Sequence, residues 1–173
     1  MKKLLAVIDM QVDFVSGALG SPEAEAIVEN VVNKVKEAKA MGTTVVFTLD
    51  THEENYMETQ EGKNLPVPHC IRNTDGWGLI PELRRMAAGC QLVEKPTFGS
   101  TILAHLAGKG GFDEIELIGL CTDICVISNA LILKAALPEA VISVEASCCA
   151  GVTPESHKNA LNAMKSCQVQ IIE

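Results

Sequence analysis

The sequence predicts an α/β protein with three layers, in which helices cover both faces of a six-stranded, mainly parallel sheet. Three observations predict it. Six short apolar, β-branched runs recur along the 173 residues. Each run is too continuous for a strand with one solvated face, so each is expected to be covered on both sides. Stretches with helical spacing of apolar residues lie between the runs, which is the alternation of parallel strands joined by helical crossovers. A chain of 173 residues can bury most of its apolar surface in one core, so residues 1–173 are expected to form a single domain.

The first strand is Lys3–Ile8. Its apolar run superficially imitates a leader peptide, but it meets Asp9 before the apolar core of a leader is complete. Ser21 before Pro22 supplies an N-cap candidate ahead of proline at the first helical position, and a helix is expected over Pro22–Ala40 with Gly42 as its C-cap. The second strand follows at Thr43–Leu49. From Thr51 to Gly78 the chain is mostly polar and has no clear period, longer than an ordinary α/β connection, which marks a functional or disordered loop. Helix Leu79–Ala87, strand Gln91–Val93, helix Thr101–Ala107 and strand Glu114–Leu120 come next. Helix Asp123–Ala136 and strand Ala140–Val144 follow. Thr153-Pro154-Glu155 opens a helix over Pro154–Met164, and Val169–Ile172 is the last strand.

Composition excludes several classes of partner. With 22 acidic against 14 basic residues the formal charge is −8, which repels nucleic-acid phosphates and anionic membranes and leaves a small molecule as the expected partner. Hydrophobic residues make up 47% of the chain, yet its apolar runs are strand-sized and interrupted by charge, short of the ~20 residues of a membrane helix. The chain is expected to be soluble. Its seven cysteines lie in apolar segments (Cys90, Cys121, Cys125, Cys148, Cys149, Cys167) or near a histidine (Cys70), with no zinc-finger or disulfide-framework spacing, which fits a reducing cytoplasm.

In an open parallel sheet, ligands bind beyond the carboxyl ends of the strands. Asp9 ends the first strand, Asp50 the second and Lys95 the third, while Cys121 to Cys125 bridge the fourth strand and the next helix. Cys125 is expected in the first turn of that helix, capped by Thr122 or Asp123, where the helix dipole favours a thiolate. An isolated cysteine in an apolar helix is ordinarily structural, but the strand-to-helix junction favours a nucleophile. Cys121 is the rival, less well placed at the strand end. Asp9 emerges from an apolar strand, and partial burial would raise its pKa toward that of a useful base. Its plainer reading is a capping carboxylate. Lys95 would hold Asp9 ionised and lower the thiol pKa.

The polar loop opens with Asp50-Thr51-His52 and runs through Glu61 to His69. Two imidazoles and two carboxylates at one rim suit zinc or a similar divalent ion, although the same residues could simply be solvated. His105 and His157 lie in helical segments away from the strand ends and read as surface or packing residues.

Three segments closely resemble the nicotinamidase/isochorismatase-like cysteine hydrolases: Ile8-Asp9-Met10-Gln11-Val12-Asp13-Phe14, Glu94-Lys95-Pro96-Thr97-Phe98-Gly99-Ser100 and Gly119-Leu120-Cys121-Thr122-Asp123-Ile124-Cys125-Val126. Order, spacing and strand context agree from Met1 to about Thr153. The resemblance implies the Rossmann-like, isochorismatase-like fold and a catalytic set of Cys125 as nucleophile, Asp9 as base and Lys95 as electrostatic partner. It further implies a cis peptide before Cys121, so that the backbone N–H groups of Cys121 and Cys125 form an oxyanion hole. Asp50, His52 and His69 match the family's metal ligands, with Glu61 as a fourth. The implied metal is zinc, with manganese or iron as alternatives, and its implied role is to anchor a donor atom of the substrate.

The reaction implied is hydrolysis of a small carboxamide, nicotinamide foremost, to carboxylate and ammonia through a thioester, in a homo-oligomer. One departure concerns the pocket. Nicotinamidases of the family place an aromatic residue shortly before the last metal histidine, but Asn64-Leu65-Pro66-Val67-Pro68-His69 has none. Phe14 is therefore expected to form one wall, with Trp77 or Tyr56 as substitutes. Two other readings stay open: an isochorismatase-type vinyl-ether hydrolase, whose members lack the nucleophilic cysteine, and a non-catalytic metal-binding relative of the same fold.

Overall fold

The computed structural model describes residues 1–173. Its strands are β1 (Lys3–Ile8), β2 (Thr44–Asp50), β3 (Gln91–Lys95), β4 (Glu114–Leu120), β5 (Val141–Ala150) and β6 (Gln170–Ile172). They form one six-stranded sheet in the order β3-β2-β1-β4-β5-β6, and every pairing is parallel. Successive strands step outward from β1 in one direction and from β4 in the other. The order therefore reverses between β1 and β4, the point where an open sheet forms a crevice beyond its carboxyl ends.

The helices are α1 (Val12–Val15), α2 (Pro22–Ala26), α3 (Val28–Ala40), α4 (Gln60–Asn64), α5 (Pro81–Arg84), α6 (Thr101–Gly110), α7 (Ile127–Ala136) and α8 (Pro154–Ser166). Alternate residues of β1 enter two separate cores. Leu4, Ala6 and Ile8 pack with Leu103 and Ala107 of α6, Ala130 and Leu133 of α7 and Met164 of α8. Leu5 and Val7 pack on the other face with Val31 and Val35 of α3 and Leu83 of α5. This is why the strand reads as an unbroken apolar run. Each such leucine or isoleucine contributes about 1.5–3 kcal/mol by leaving water. No helix is long and apolar enough to cross a membrane.

The expected caps form. Ser21 Oγ accepts from the Ala24 N–H, and Thr153 makes a reciprocal capping box with Ser156. Gly42 leaves α3 at φ +72, a backbone conformation that glycine adopts without steric cost. Three expectations are corrected. The helix expected over Pro22–Ala40 is interrupted at Ile27, whose side chain is buried in the core, so the apolar pattern runs unchanged across the break. The helix expected over Leu79–Ala87 shrinks to α5, because Leu79 bridges to Gln11 and the Ile80 N–H donates to the Met10 carbonyl. β5 continues to Ala150 past a register shift opposite Leu117 and Gly119, and the polar Glu145 and Ser147 hide that extension in the sequence. The segment from Thr51 to Gly78 is folded. It contains a 3₁₀ turn at Tyr56–Glu58 and α4, and it closes on itself through His52 N–H to Cys70 O (3.0 Å) and Arg72 N–H to His52 O (2.8 Å).

One close approach shapes the crevice. Gly119 sits at φ +114, and a Cβ there would lie 2.1 Å from the carbonyl oxygen of Ile8. Only glycine lets β4 pass this near to β1 at the residue before Asp9.

Candidate active site

Asp9 leaves β1 at φ +47, in the left-handed region that Asp tolerates better than most residues, and its side chain is fully buried. Its N–H donates to Thr48 Oγ1 (3.1 Å), and the Thr48 hydroxyl donates back to Oδ1 (2.5 Å). The other carboxylate oxygen, Oδ2, lies 2.6 Å from Lys95 Nζ. Burial pushes the Asp9 pKa up and Asp50 adds to this, while Lys95 opposes it.

Lys95, at the end of β3, is 1% exposed. Its ammonium reaches Asp9, Asp50 Oδ1 (3.3 Å), the Thr97 carbonyl (3.0 Å) and Cys125 Sγ (3.5 Å). Burial works against the charge, but Asp9, Cys125 and Asp50 together hold the ammonium well above the ordinary lysine value. It stays a cation.

Cys125 is 4% exposed and lies in a wide five-residue turn, Thr122–Val126, in which the Val126 N–H reaches back to the Cys121 carbonyl in π fashion. Such turns recur at functional sites. The capping expectation is corrected, because no side chain caps this turn. The Thr122 hydroxyl instead pairs with His157 Nδ1 (2.7 Å), and Asp123 Oδ1 accepts from the Val152 N–H (3.1 Å). The expectation of a resting thiolate is corrected too. Burial and the charge of Asp9 hold the thiol well above its usual pKa, and Lys95 lowers it without prevailing. Burial and Asp9 thus favour the protonated thiol, which has Asp9 within hydrogen-bonding reach.

The Leu120–Cys121 peptide is cis. The Cys121 thiol is half-buried and pushed up to about 12 by burial and by the charges of Asp123 and Asp9.

Asp50 joins this triad to a second cluster. Its Oδ2 lies 2.9 Å from His52 Nε2 and 3.5 Å from His69 Nε2, and Glu61 Oε1 is 3.6 Å from both imidazoles. The four donor atoms all fall within 4.8 Å of one another. Two imidazole nitrogens and two carboxylate oxygens converging on one point fit a divalent ion. The orientation agrees, because His69 Nδ1 is bonded to the Val67 carbonyl (2.8 Å), which turns Nε2 into the cluster. Burial opposes ionisation of Asp50, but its bonds to His52 and His69 and the Lys95 ammonium hold the carboxyl well below the usual carboxylate range.

The three aromatic candidates separate. Phe14 is half-buried with its ring centroid 5.4 Å from that of His69, at the edge of the cluster. Tyr56 is 1% exposed, donates its hydroxyl to the Leu65 carbonyl (2.8 Å) and packs edge-on against His52 and His69. It stands behind the histidines as a buttress, which corrects its expected place on an open pocket wall. Trp77 is half-buried, with its indole N–H donated to Thr51 Oγ1 (2.9 Å). His105 is exposed as expected. The placing of His157 away from the strand ends is corrected by its bond to Thr122, two residues past β4.

Two residues escaped the sequence reading. Gln11 is fully buried and grips Asp50 at both backbone atoms, with Nε2 on the carbonyl (2.9 Å) and Oε1 accepting from the N–H (2.7 Å), while Nε2 also donates to the Trp77 carbonyl (2.8 Å). The only signal was a long polar side chain three positions after a buried strand. Phe98, 43% exposed, lies on the loop whose Thr97 carbonyl holds Lys95.

A sequence model of the isochorismatase domain matches residues 3–173. An isochorismatase family protein of Bacillus subtilis (strain 168), PncA, is 33% identical over 143 residues, which cover 76% of this chain and 78% of that protein. The crystal structure of nicotinamidase/pyrazinamidase PncA from Bacillus subtilis is similar at TM-score 0.90 and 28% identity, over 100% of both chains. The pyrazinamidase of Pyrococcus horikoshii, solved in complex with zinc, is similar at TM-score 0.86 and 27% identity, over 100% of this chain and 99% of that one.

Proposed function

The chain belongs to the isochorismatase family, and from that premise we propose that it is a cysteine amidohydrolase converting a small carboxamide, nicotinamide foremost, to its carboxylate and ammonia. The observation that carries the reading is the contact of Cys125 Sγ with Lys95 Nζ at 3.5 Å, with the same ammonium 2.6 Å from Asp9. A vinyl-ether hydrolase has no use for that sulfur, and a purely metal-binding relative has no use for a buried acid beside it.

In the mechanism we assign, Asp9 accepts the thiol proton as Cys125 Sγ forms its bond to the amide carbon. Lys95 offsets the negative charge that passes from carboxylate to sulfur. The electron pair displaced onto the carbonyl oxygen is received by the backbone N–H groups of Cys121 and Cys125, and one such donor is commonly worth about 3 kcal/mol of barrier. Asp9 then gives its proton to the nitrogen, the C–N bond breaks, ammonia leaves and a thioester remains. Asp9 next takes a proton from water as the water oxygen adds to the thioester carbon. It returns that proton to the departing sulfur, restoring the thiol and releasing the carboxylic acid, which gives its remaining proton to water and leaves as the carboxylate.

Asp50, His52, Glu61 and His69 would hold a divalent ion, zinc foremost, which supplies Lewis-acid anchoring of a donor atom on the substrate. Phe14 is assigned to the pocket wall beside His69. Ammonia release from nicotinamide, pyrazinamide and aliphatic carboxamides, measured side by side, tests the reading. Turnover of the ring amides in preference to the aliphatic ones is expected, and no ammonia from any of them would refute it.

Chelation is expected to separate binding from chemistry. With metal loss checked by elemental analysis, KM should rise about tenfold or more while kcat falls less than about threefold, because anchoring is lost and the nucleophile is not. A collapse of kcat at unchanged KM would move the ion into the chemical step.

A further inference from the structure

Asn129 lies on α7 one helical turn after Cys125, and it is fully buried. Its side-chain amide makes three bonds. Nδ2 donates to the Cys125 carbonyl (2.8 Å) and to the Phe98 carbonyl (3.1 Å), and Oδ1 accepts from the Ser100 N–H (3.0 Å). Both amide hydrogens are used, so the group has a defined orientation.

These bonds connect two segments about thirty residues apart in the chain. One is the wide turn that carries the sulfur, where π winding departs from ordinary helical bonding. The other is the irregular loop after β3, whose Thr97 carbonyl receives Lys95 Nζ (3.0 Å). A glycine in that loop also allows close packing on the same helix, since a Cβ at Gly99 would lie 2.4 Å from Ile132 Cδ1 and 3.4 Å from Ser128 Cβ. The groups that face the sulfur from the strand ends are Lys95, Asp9 and Asp50.

We propose that Asn129 is a positioning residue, which locks the Lys95 loop to the Cys125 turn and so maintains the 3.5 Å approach of ammonium to sulfur. Attraction between the ammonium and the forming thiolate weakens as they separate, and it is strong here because both groups are buried. A loosened clamp should therefore slow the step in which charge reaches sulfur and leave substrate binding largely untouched. Where this concerns turnover it rests on the amidohydrolase reading. Where it concerns the reactivity of the thiol it does not.

The test uses the full chain with its metal content verified, and compares wild type with Asn129→Ala. The rate of Cys125 alkylation by iodoacetamide at about pH 8 is followed by peptide mass spectrometry, so that the other thiols are counted separately. Alkylation of Cys125 is expected to slow roughly tenfold, and kcat to fall about 100-fold with KM changed less than about threefold. Leu133→Ala, a buried core truncation on the same helix, should lower Tm and leave the alkylation rate unchanged. Asn129→Thr offers a hydroxyl able to donate to the Cys125 carbonyl in place of Nδ2 but loses the arm to Phe98 and Ser100. It should show a smaller loss in the same direction, and it carries the test if the alanine variant does not fold. An Asn129 variant that is less stable but alkylates at or above the wild-type rate, with kcat intact, overturns the proposal. If wild type releases ammonia from no amide, the functional reading fails while the alkylation comparison still decides the role of Asn129.

Discussion

Replacing Cys125 with alanine is expected to abolish amide turnover, lowering kcat by roughly 10⁶-fold, the scale seen when a covalent nucleophile is removed. The loss is total in practice because no neighbouring group can replace the sulfur. Asp9 is committed to proton transfer, and Cys121 has its thiol pushed up to about 12. The fold should survive. The substitution removes one atom from a site 4% exposed, which costs about 1 kcal/mol and shifts Tm by about 2–4 °C in a chain of this size. Metal content should be unchanged, since none of the four donor residues touches the sulfur in the contacts described. The measurement is ammonia release beside a thermal melt and an elemental analysis. A variant that keeps even a few per cent of wild-type turnover, with contaminating enzyme excluded, would remove Cys125 from the mechanism.

Lys95→Met should damage both stability and activity, and the pH dependence of the damage distinguishes its cause. The ammonium lies between Asp9 Oδ2 at 2.6 Å and Asp50 Oδ1 at 3.3 Å, and without it two buried carboxylates lose their countercharge. Breaking a buried ion pair in this one-sided way costs about 3–5 kcal/mol, or roughly 6–20 °C in Tm. Asp9 already holds its proton more tightly in the fold than in the unfolded chain, because burial outweighs the help it receives from Lys95. A carboxyl with a raised folded pKa costs stability progressively as pH climbs from its unfolded value through its folded one. Removing the ammonium raises that folded value further. The Tm difference between wild type and Lys95→Met should therefore be wider at about pH 8 than at about pH 5, and adding Asp9→Asn should recover part of the loss. Equal differences at both pH values, with no recovery in the double variant, would mean that the lysine acts through packing of its stem.

Much of this architecture was legible in the residues themselves. Strands covered on both faces must be apolar at consecutive positions, so Lys3–Ile8, Glu114–Leu120 and their neighbours announce a parallel sheet without any partner being known. A parallel sheet sends all its carboxyl ends to one rim, and Asp9, Asp50 and Lys95 were assignable to a common crevice by their place after each run. The His52, Glu61 and His69 cluster was foreseen through residue chemistry and family resemblance, and the fold brings these side chains together with Asp50. The extension of β5 was hidden, because a shift in register lets polar residues sit in a strand that otherwise reads as ended at Val144.

What only the tertiary structure decided concerns protons and props. The thiol's proton is kept by burial and by the neighbouring charge of Asp9, a balance of solvation and Coulomb energy that depends on distances among residues far apart in the chain. Tyr56 became a buttress, His157 a partner of Thr122, Gln11 a clamp on the end of β2 and Asn129 a clamp on the loop after β3, each through a partner distant in the chain. Hydrophobic periodicity records which face of an element is buried. It carries no record of which carbonyl a buried amide will find, since that depends on how the elements pack around it.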